Sequence, residues 1–315
     1  MLDVLNFVRG AIAKKDFAPA LTHFRIKHKR ILGFNGVLAI SSPIELDLDV
    51  CPKAVPLVKA IQSCKDTIKL NITPAGKLSV SSGKFRAYIE CAQVPFPEVY
   101  PEGDSFAIPE GFLEILSLLS PIIAEDASRP WARGILFKGP VALVTNNIVL
   151  AQYWTGLDFP LPINLPQEAI AELLRLGIPP TRAQVTESSI TFHYEGDRWL
   201  RTQLYPSDWP NVEAILEAAF TYTPVPEGLW EAVSTIMPFL EKEGRVYFRD
   251  GQVSSTLVEG EGASFAAGVT AGGCFNADQL TLLKPLAEAV DFSTYPKPCG
   301  FKGPRLRGLI AGMHE

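Results

Sequence analysis

The chain has 315 residues, 47% of them hydrophobic and 20% charged, a balance that builds buried cores and excludes a disordered polymer. Its length leaves room for two or three domains. The formal net charge of −5 argues against a protein that coats itself in nucleic acid, because strong nonspecific binding needs a basic surface. No window reaches the roughly 18 uninterrupted apolar residues of a membrane span. Met1–Gly10 carries Asp3 and Asn6 where a secretory leader has a basic start and an apolar run, so the protein is expected to stay where it is made. Cys51, Cys64, Cys91, Cys274 and Cys299 are scattered, mostly among apolar neighbours, which suits free thiols in a reducing cytoplasm. Asn71-Ile72-Thr73 fits a glycosylation acceptor and, without a leader, reads as a strand ending in a turn.

In chain order, Leu5, Val8 and Ile12 predict a helix over Leu2–Lys14. A strand segment, Ile31–Ile40, is broken by a turn at Phe34-Asn35-Gly36. A second helix falls near Pro52–Cys64, followed by strands over Thr67–Val80 and Phe85–Cys91. Phe112, Ile115, Leu116 and Leu119 open the next helix, and a strand over Gly134–Val144 with a turn at Lys138-Gly139-Pro140 follows. A helix near Pro166–Leu176 precedes strands over Ala183–Tyr194 and Trp199–Tyr205. The last helix pair is marked by Leu229, Val233, Ile236 and Leu240, and by Asn276–Phe292. Strands over Arg245–Thr256, turning at Asp250-Gly251, lie between those helices, and Leu306–Met313 ends the set.

The order helix, strands, helix, strands therefore occurs three times, and short echoes mark the period. Ile108-Pro109-Glu110-Gly111-Phe112-Leu113-Glu114 recurs as Val225-Pro226-Glu227-Gly228-Leu229-Trp230-Glu231, 117 residues on, and Phe96-Pro97-Glu98-Val99 recurs as Trp209-Pro210-Asn211-Val212, 113 residues on. Pro and Glu sit in the first echo where a helix begins. The fold class is α+β, three repeated domains at 1–105, 106–222 and 223–315, each with two helices packed on antiparallel sheet. Charge divides unevenly: 14 basic and 10 acidic residues in the first domain, 7 and 13 in the second, 8 and 11 in the third.

Several segments resemble the bacterial DNA polymerase III beta subunit, the sliding clamp. Arg129-Pro130-Trp131-Ala132-Arg133-Gly134-Ile135-Leu136-Phe137 is similar to that family's Arg-aromatic-x-x-Gly-x-Leu-Phe strand. Val144-Thr145-Asn146-Asn147-Ile148-Val149-Leu150-Ala151 falls where the family carries Ala-Thr-Asp-Gly-His-Arg-Leu-Ala, and Gly83-Lys84-Phe85-Arg86 through Phe96-Pro97 resembles its Gly-Arg-x-x-Phe strand running to Phe-Pro. The chain departs from the family in opening directly on a helix, in placing Ile148-Val149 for His-Arg, and in ending Ala311-Gly312-Met313 for Met-Pro-Met. These changes mark a divergent member, as a phage protein would be.

The resemblance implies a processivity factor without catalysis or cofactor: a head-to-tail homodimeric ring that holds double-stranded DNA without sequence preference and lines its hole with helices. Exchangeable phosphate contacts by a few cations suit such sliding. The candidates are Lys14, Lys15, Lys59, Arg129, Arg133, Arg175 and Lys284, with Trp131. The resemblance also implies a cleft for short peptides of the polymerase and the clamp loader, formed by Thr145, Ile148, Val149, Leu150, Pro210, Ile215, Leu309, Ala311 and Met313. The expected location is the cytoplasm, that of a host if the chain is viral, with no membrane partner.

Other classes stay open at this point. A multidomain scaffold or virion protein without DNA would show no basic face on its helices. A hydrolase could use Glu125-Asp126, although phosphate-loop, zinc-protease, nucleophile-elbow and Cys-x-x-Cys signatures are missing. Gly260-Glu261-Gly262 reads as a hairpin turn, and His23 and His28 belong to a basic strand without the partners a metal needs.

Overall fold

The computed structural model describes residues 1–15, 18–93, 95–125 and 128–314. The chain opens with α1 (Leu2–Val8), a 3-10 turn (Arg9–Ala11), β1 (Arg25–Lys27), β2 (Arg30–Phe34) and β3 (Leu38–Pro43), then α2 (Ala54–Ser63), β4 (Lys69–Ile72), β5 (Leu78–Ser82) and β6 (Phe85–Ile89). The second stretch holds β7 (Asp104–Phe106), α3 (Phe112–Leu119), β8 (Gly134–Thr145) and β9 (Val149–Pro166), then α4 (Gln167–Leu176), β10 (Arg182–Val185), β11 (Ser189–Tyr194) and β12 (Arg198–Gln203). A short α5 (Glu213–Leu216) leads to the third: β13 (Thr223–Pro224), α6 (Leu229–Ile236), β14 (Arg245–Arg249), β15 (Gln252–Ser254) and β16 (Ser264–Ala266). It closes with β17 (Gly273–Asn276), α7 (Ala277–Leu282), β18 (Ala289–Asp291), β19 (Cys299–Gly303) and β20 (Leu306–Ile310).

Two compact units emerge. One comprises Met1–Leu113 with Glu168–Leu204, the other Glu114–Gln167 with Tyr205–Glu315. The first contains a seven-stranded sheet, β1-β2-β3-β12-β11-β10-β7, and a three-stranded sheet, β4-β5-β6. The second contains a six-stranded sheet, β13-β18-β19-β20-β9-β8, and a four-stranded sheet, β16-β15-β14-β17. All these pairings are antiparallel. Each large sheet joins strands of two successive repeats. Ala39 pairs with Arg201 across β3 and β12, and Leu309 pairs with Leu150 across β20 and β9. The middle repeat is thus divided, its second half sharing a sheet with the first repeat and its first half with the third.

Helical spacing explains which faces are buried. Ala54, Leu57, Ala60 and Ile61 form the buried stripe of α2, and Leu229, Ala232, Val233 and Ile236 that of α6, each following the turn-and-a-fraction rhythm that lines one side of a helix. The echo of Pro-Glu-Gly has a shared backbone cause: Gly111 (φ 69°) and Gly228 (φ 76°) both stand left-handed immediately before α3 and α6, a conformation that costs glycine little.

The hairpin readings at Asn35-Gly36 and Asp250-Gly251 hold. Asp250 and Gly251 both have positive φ, 49° and 77°, as a two-residue turn requires. Glu261 and its flanking glycines lie in the loop between the paired strands β15 and β16. Three readings are corrected. The first helix stops at Val8 with one 3-10 turn to Ala11, because Gly10 weakens it and Ile12 turns extended. The helix expected over Asn276–Phe292 ends at Leu282, and Ala289–Asp291 is strand instead; Pro285 cannot continue a helix and restrains the residue before it. Lys138-Gly139-Pro140 is a bulge inside β8, not a turn between strands, with register shifts on both sides of Gly139. Of the Glu125-Asp126 pair, Glu125 is exposed and Asp126 lies outside the described residues.

Candidate functional site

In the first unit, the 3-10 turn after α1, with α2 and α4, borders a groove of about 760 Å³ that gathers Arg9, Lys14, Lys59, Gln62 and Arg175. Three of the expected cations, Lys14, Lys59 and Arg175, are therefore brought together, and Lys15 is exposed beside Lys14. Arg9 joins them although nothing in the sequence pattern singled it out. Arg9, Lys14 and Lys59 are all exposed.

Arg175 is in a different state from its neighbours. Glu172, only 6% exposed, accepts two hydrogen bonds from it, at 2.7 Å from Nε and 2.5 Å from Nη2, and Nη2 also donates to the Phe7 carbonyl at 3.2 Å. The hydrogen bonds to Glu172 push the guanidinium pKa further up, against the effect of burial. A fork engaged in this way ties α4 to the end of α1, so Arg175 has a structural role that the exposed Arg9, Lys14 and Lys59 do not share. Gly10 belongs to the same arrangement: a Cβ there would lie within about 2 Å of the Glu172 carboxylate, the nearest oxygen at 1.9 Å.

The remaining basic candidates lie in the second unit and do not converge. Arg129 is exposed and donates to Asn147 Oδ1 at 2.5 Å. Trp131 is half-buried edge-on against Trp209, ring centres 4.9 Å apart, so it packs instead of projecting. Arg133 is half-buried at the end of a 3-10 turn, Pro130–Arg133, and Lys284 is exposed just beyond α7.

The second unit carries an apolar cluster on one face of its six-stranded sheet. Leu136 and Leu143 from β8, Leu309 from β20, and Val212 and Leu216 at α5 are buried together, with Leu150, Trp209 and Phe220 packed on them. Of the expected cleft residues, Leu150 and Leu309 belong to this cluster. Ile148 (40% exposed) stands at the β8–β9 turn, Ile215 (49%) on α5, and Pro210 is exposed before it. Ala311 and Met313 are half-buried beyond β20, the Ala311 amide donating to Ile148 O at 2.8 Å.

Two of the expected cleft residues serve otherwise. Thr145 is buried, its hydroxyl donating to Val149 O at 2.7 Å and accepting from Asn147 N, which fastens the turn. Val149 is fully buried, and strand alternation turns it to the side opposite Leu150. The residues that sequence reading missed, Leu136, Leu143, Val212, Leu216, Trp209 and Phe220, carried two usable signals: the Val212–Leu216 spacing of one helical turn, and the aromatic of the Trp209-Pro210 echo.

No protein-family model matches the chain, and no curated protein matches it in sequence. Solved structures do match it over its whole length. It is similar to the DNA polymerase III beta chain of Streptococcus pneumoniae TIGR4 (TM-score 0.85, 16% identity) and to the DNA polymerase sliding clamp of Bacillus subtilis (0.84, 14%). It is also similar to the sliding clamp of Pseudomonas aeruginosa bound to griselimycin (0.82, 18%). In each case 100% of this chain and 97% of the other is covered. The fold is therefore that of the DNA polymerase III beta sliding clamps.

Proposed function

We propose that this chain is a sliding clamp, two copies of which close head to tail around duplex DNA and tether a replicative polymerase to it. The observation that carries the reading is the rule by which repeats join. At both joints within the chain, the last strand of a repeat's second half pairs with an edge strand of the preceding repeat's first half: β12 with β3, and β20 with the Val149–Tyr153 stretch of β9. β3 closes the run β1-β2-β3, and its counterpart in the third repeat is β16, which closes the run β14-β15-β16; β6 and β16 are thereby left over, each ending its own sheet. An open strand edge invites pairing with another chain, and two complementary edges at opposite ends of a repeat series close a ring by head-to-tail contacts.

Charge and apolar exposure at the two edges support the match. Lys84 and Arg86 are exposed at β6, with Tyr88 57% exposed, while exposed Glu259 and Glu261, with Leu257 and Val258, precede β16. The three-domain division at 1–105, 106–222 and 223–315 follows the repeats. Arg9, Lys14 and Lys59 then meet DNA phosphates without reading sequence, the grip being topological and no reaction being catalysed. Polymerase and loader peptides dock on the apolar sheet face of the second unit. The setting is a cytoplasm that holds replicating DNA.

Sedimentation or sizing over a wide concentration range tests ring assembly. A dimer is expected, converted to monomer by Lys84→Glu with Arg86→Glu and restored by adding Glu259→Lys with Glu261→Lys. A wild-type chain that stays monomeric at the highest concentrations, or a dimer indifferent to all four substitutions, contradicts the proposal.

A further inference from the structure

We infer that the apolar sheet face of the second unit takes a partner whose apolar anchors continue into an acidic stretch, and that this stretch lies along Lys302, Arg305 and Arg307. The inference deepens the peptide-docking reading above and rests on it. Cross-strand register defines the face. Thr145, Leu150, Leu309 and Gly300 are aligned across β8, β9, β20 and β19, and two residues along come Leu143, Gln152, Arg307 and Lys302. The next step reaches Val141 and Trp154, whose amide donates to Arg305 O at 2.8 Å. The first row belongs to the leucine cluster, with Phe220 lying so close over Gly300 that a Cβ there would be 2.7 Å from its ring.

Beyond that row the chemistry changes from apolar to cationic. Arg307 Nε donates to Gln152 Oε1 at 2.6 Å, Lys302 Nζ stands 4.7 Å from the centre of the Tyr222 ring, and the Arg305 guanidinium stands 5.7 Å from that of Tyr153. Trp154 is 51% exposed at this end. Among the described residues no ion pair joins any of these three cations to a carboxylate, whereas Arg25, Arg30, Arg198, Arg201 and Arg249 each have one. Asp291, the carboxylate near Tyr222, is already engaged: it accepts from Thr221 N at 2.7 Å and from Ser293 N and Oγ at 3.0 and 2.6 Å.

An acidic chain that leaves these three cations without a carboxylate partner among the described residues, beside an apolar cluster with Ile148 and Ile215 exposed near it, fits an anionic ligand continuous with apolar anchors. A polypeptide suits the face better than a single-stranded nucleic acid. Nucleic acid strands without sequence preference rely on free aromatic faces for stacking, and here Tyr222 is covered by Lys302.

The test uses the full chain and fluorescence anisotropy with two synthetic octapeptides. Both carry two leucines and a phenylalanine; one continues with Asp-Glu-Asp and the other with Asn-Gln-Asn. The acidic peptide is expected to bind about tenfold tighter at about 0.05 M salt, since exposed pairs are individually weak, with the advantage shrinking as ionic strength rises. Replacing Lys302, Arg305 and Arg307 together by Gln should remove that advantage and leave the neutral peptide unchanged. Equal binding of the two peptides to the wild-type chain overturns this inference alone, leaving the groove intact. If neither peptide binds, the peptide-docking reading falls and the inference falls with it. An oligothymidylate that binds this face more tightly than the acidic peptide, and loses affinity in the triple variant, would assign the cations to nucleic acid and overturn the inference.

Discussion

The helical groove of the first unit and the sheet face of the second both carry cations, and they treat them in opposite ways. In the groove, Arg175 is fixed between the buried Glu172 and the Phe7 carbonyl, while Arg9, Lys14 and Lys59 extend into solvent. In the second unit, Lys302 and Arg305 lie against aromatic rings and Arg307 against an amide, with no carboxylate paired to them among the described residues. The contrast shows that a charge count along a sequence does not locate binding cations. What each cation is paired with decides whether it holds the fold or awaits a ligand.

The strongest way to break this contrast is Glu172→Ala, which removes the partner from a half-buried guanidinium. It should cost about 2 kcal/mol of stability, solvent compensating part of the lost pairing, read as a lower urea midpoint at unchanged slope. Gly10→Ala should act on the same pair from the other side by forcing the carboxylate off Arg175. A loss of about 2 kcal/mol is expected, and the double variant with Glu172→Ala should lose much less than the sum of the two. Additive losses would show that Gly10 matters for another reason.

Asp291 sharpens the account of the second unit. Burial alone would raise its pKa, but hydrogen bonds from Ser293 and Thr221 outweigh this and hold it below the ordinary value of 3.8. Its contribution is therefore complete above that value and is lost as pH falls through the lower folded pKa. Asp291→Asn should cost about 1–2 kcal/mol near neutrality, and its stability should converge on that of the wild type in acid. The smallest effect on folding is expected from Lys14→Gln with Lys59→Gln: no change in stability, but a salt dependence of DNA binding shallower by about two in log–log slope.

Much of the architecture was legible in the sequence because it is local. Helical stripes such as Leu229, Val233 and Ile236, turns at Asn35-Gly36 and Asp250-Gly251, and the Pro-Glu-Gly echo all report backbone preferences within a few residues. The sharing of sheets between repeats was not legible, since Ala39–Arg201 pairing depends on residues far apart in sequence. Pro285 could have shortened the last helix in advance, as proline gives a local signal. Glu172 and Arg175 are spaced for an ion pair on one helix face, but the burial of Glu172 against the Phe7–Gly10 segment depends on tertiary packing. The candidate groove was half legible: Leu150 and Leu309 came with the resemblance, whereas Val149 fell on the wrong side of the strand and the floor from Leu136 and Leu143 needed the register of β8 against β9.

Retention on DNA of different topology is the decisive measurement. The chain is allowed to open and reclose around a nicked circular plasmid, and bound protein is separated by gel filtration before and after the plasmid is cut once. The account predicts that the protein travels with the intact circle at salt concentrations that abolish simple phosphate contacts, and is released when the circle is linearised. Equal retention on circular and linear DNA, or none on either under conditions where the dimer is intact, would contradict it.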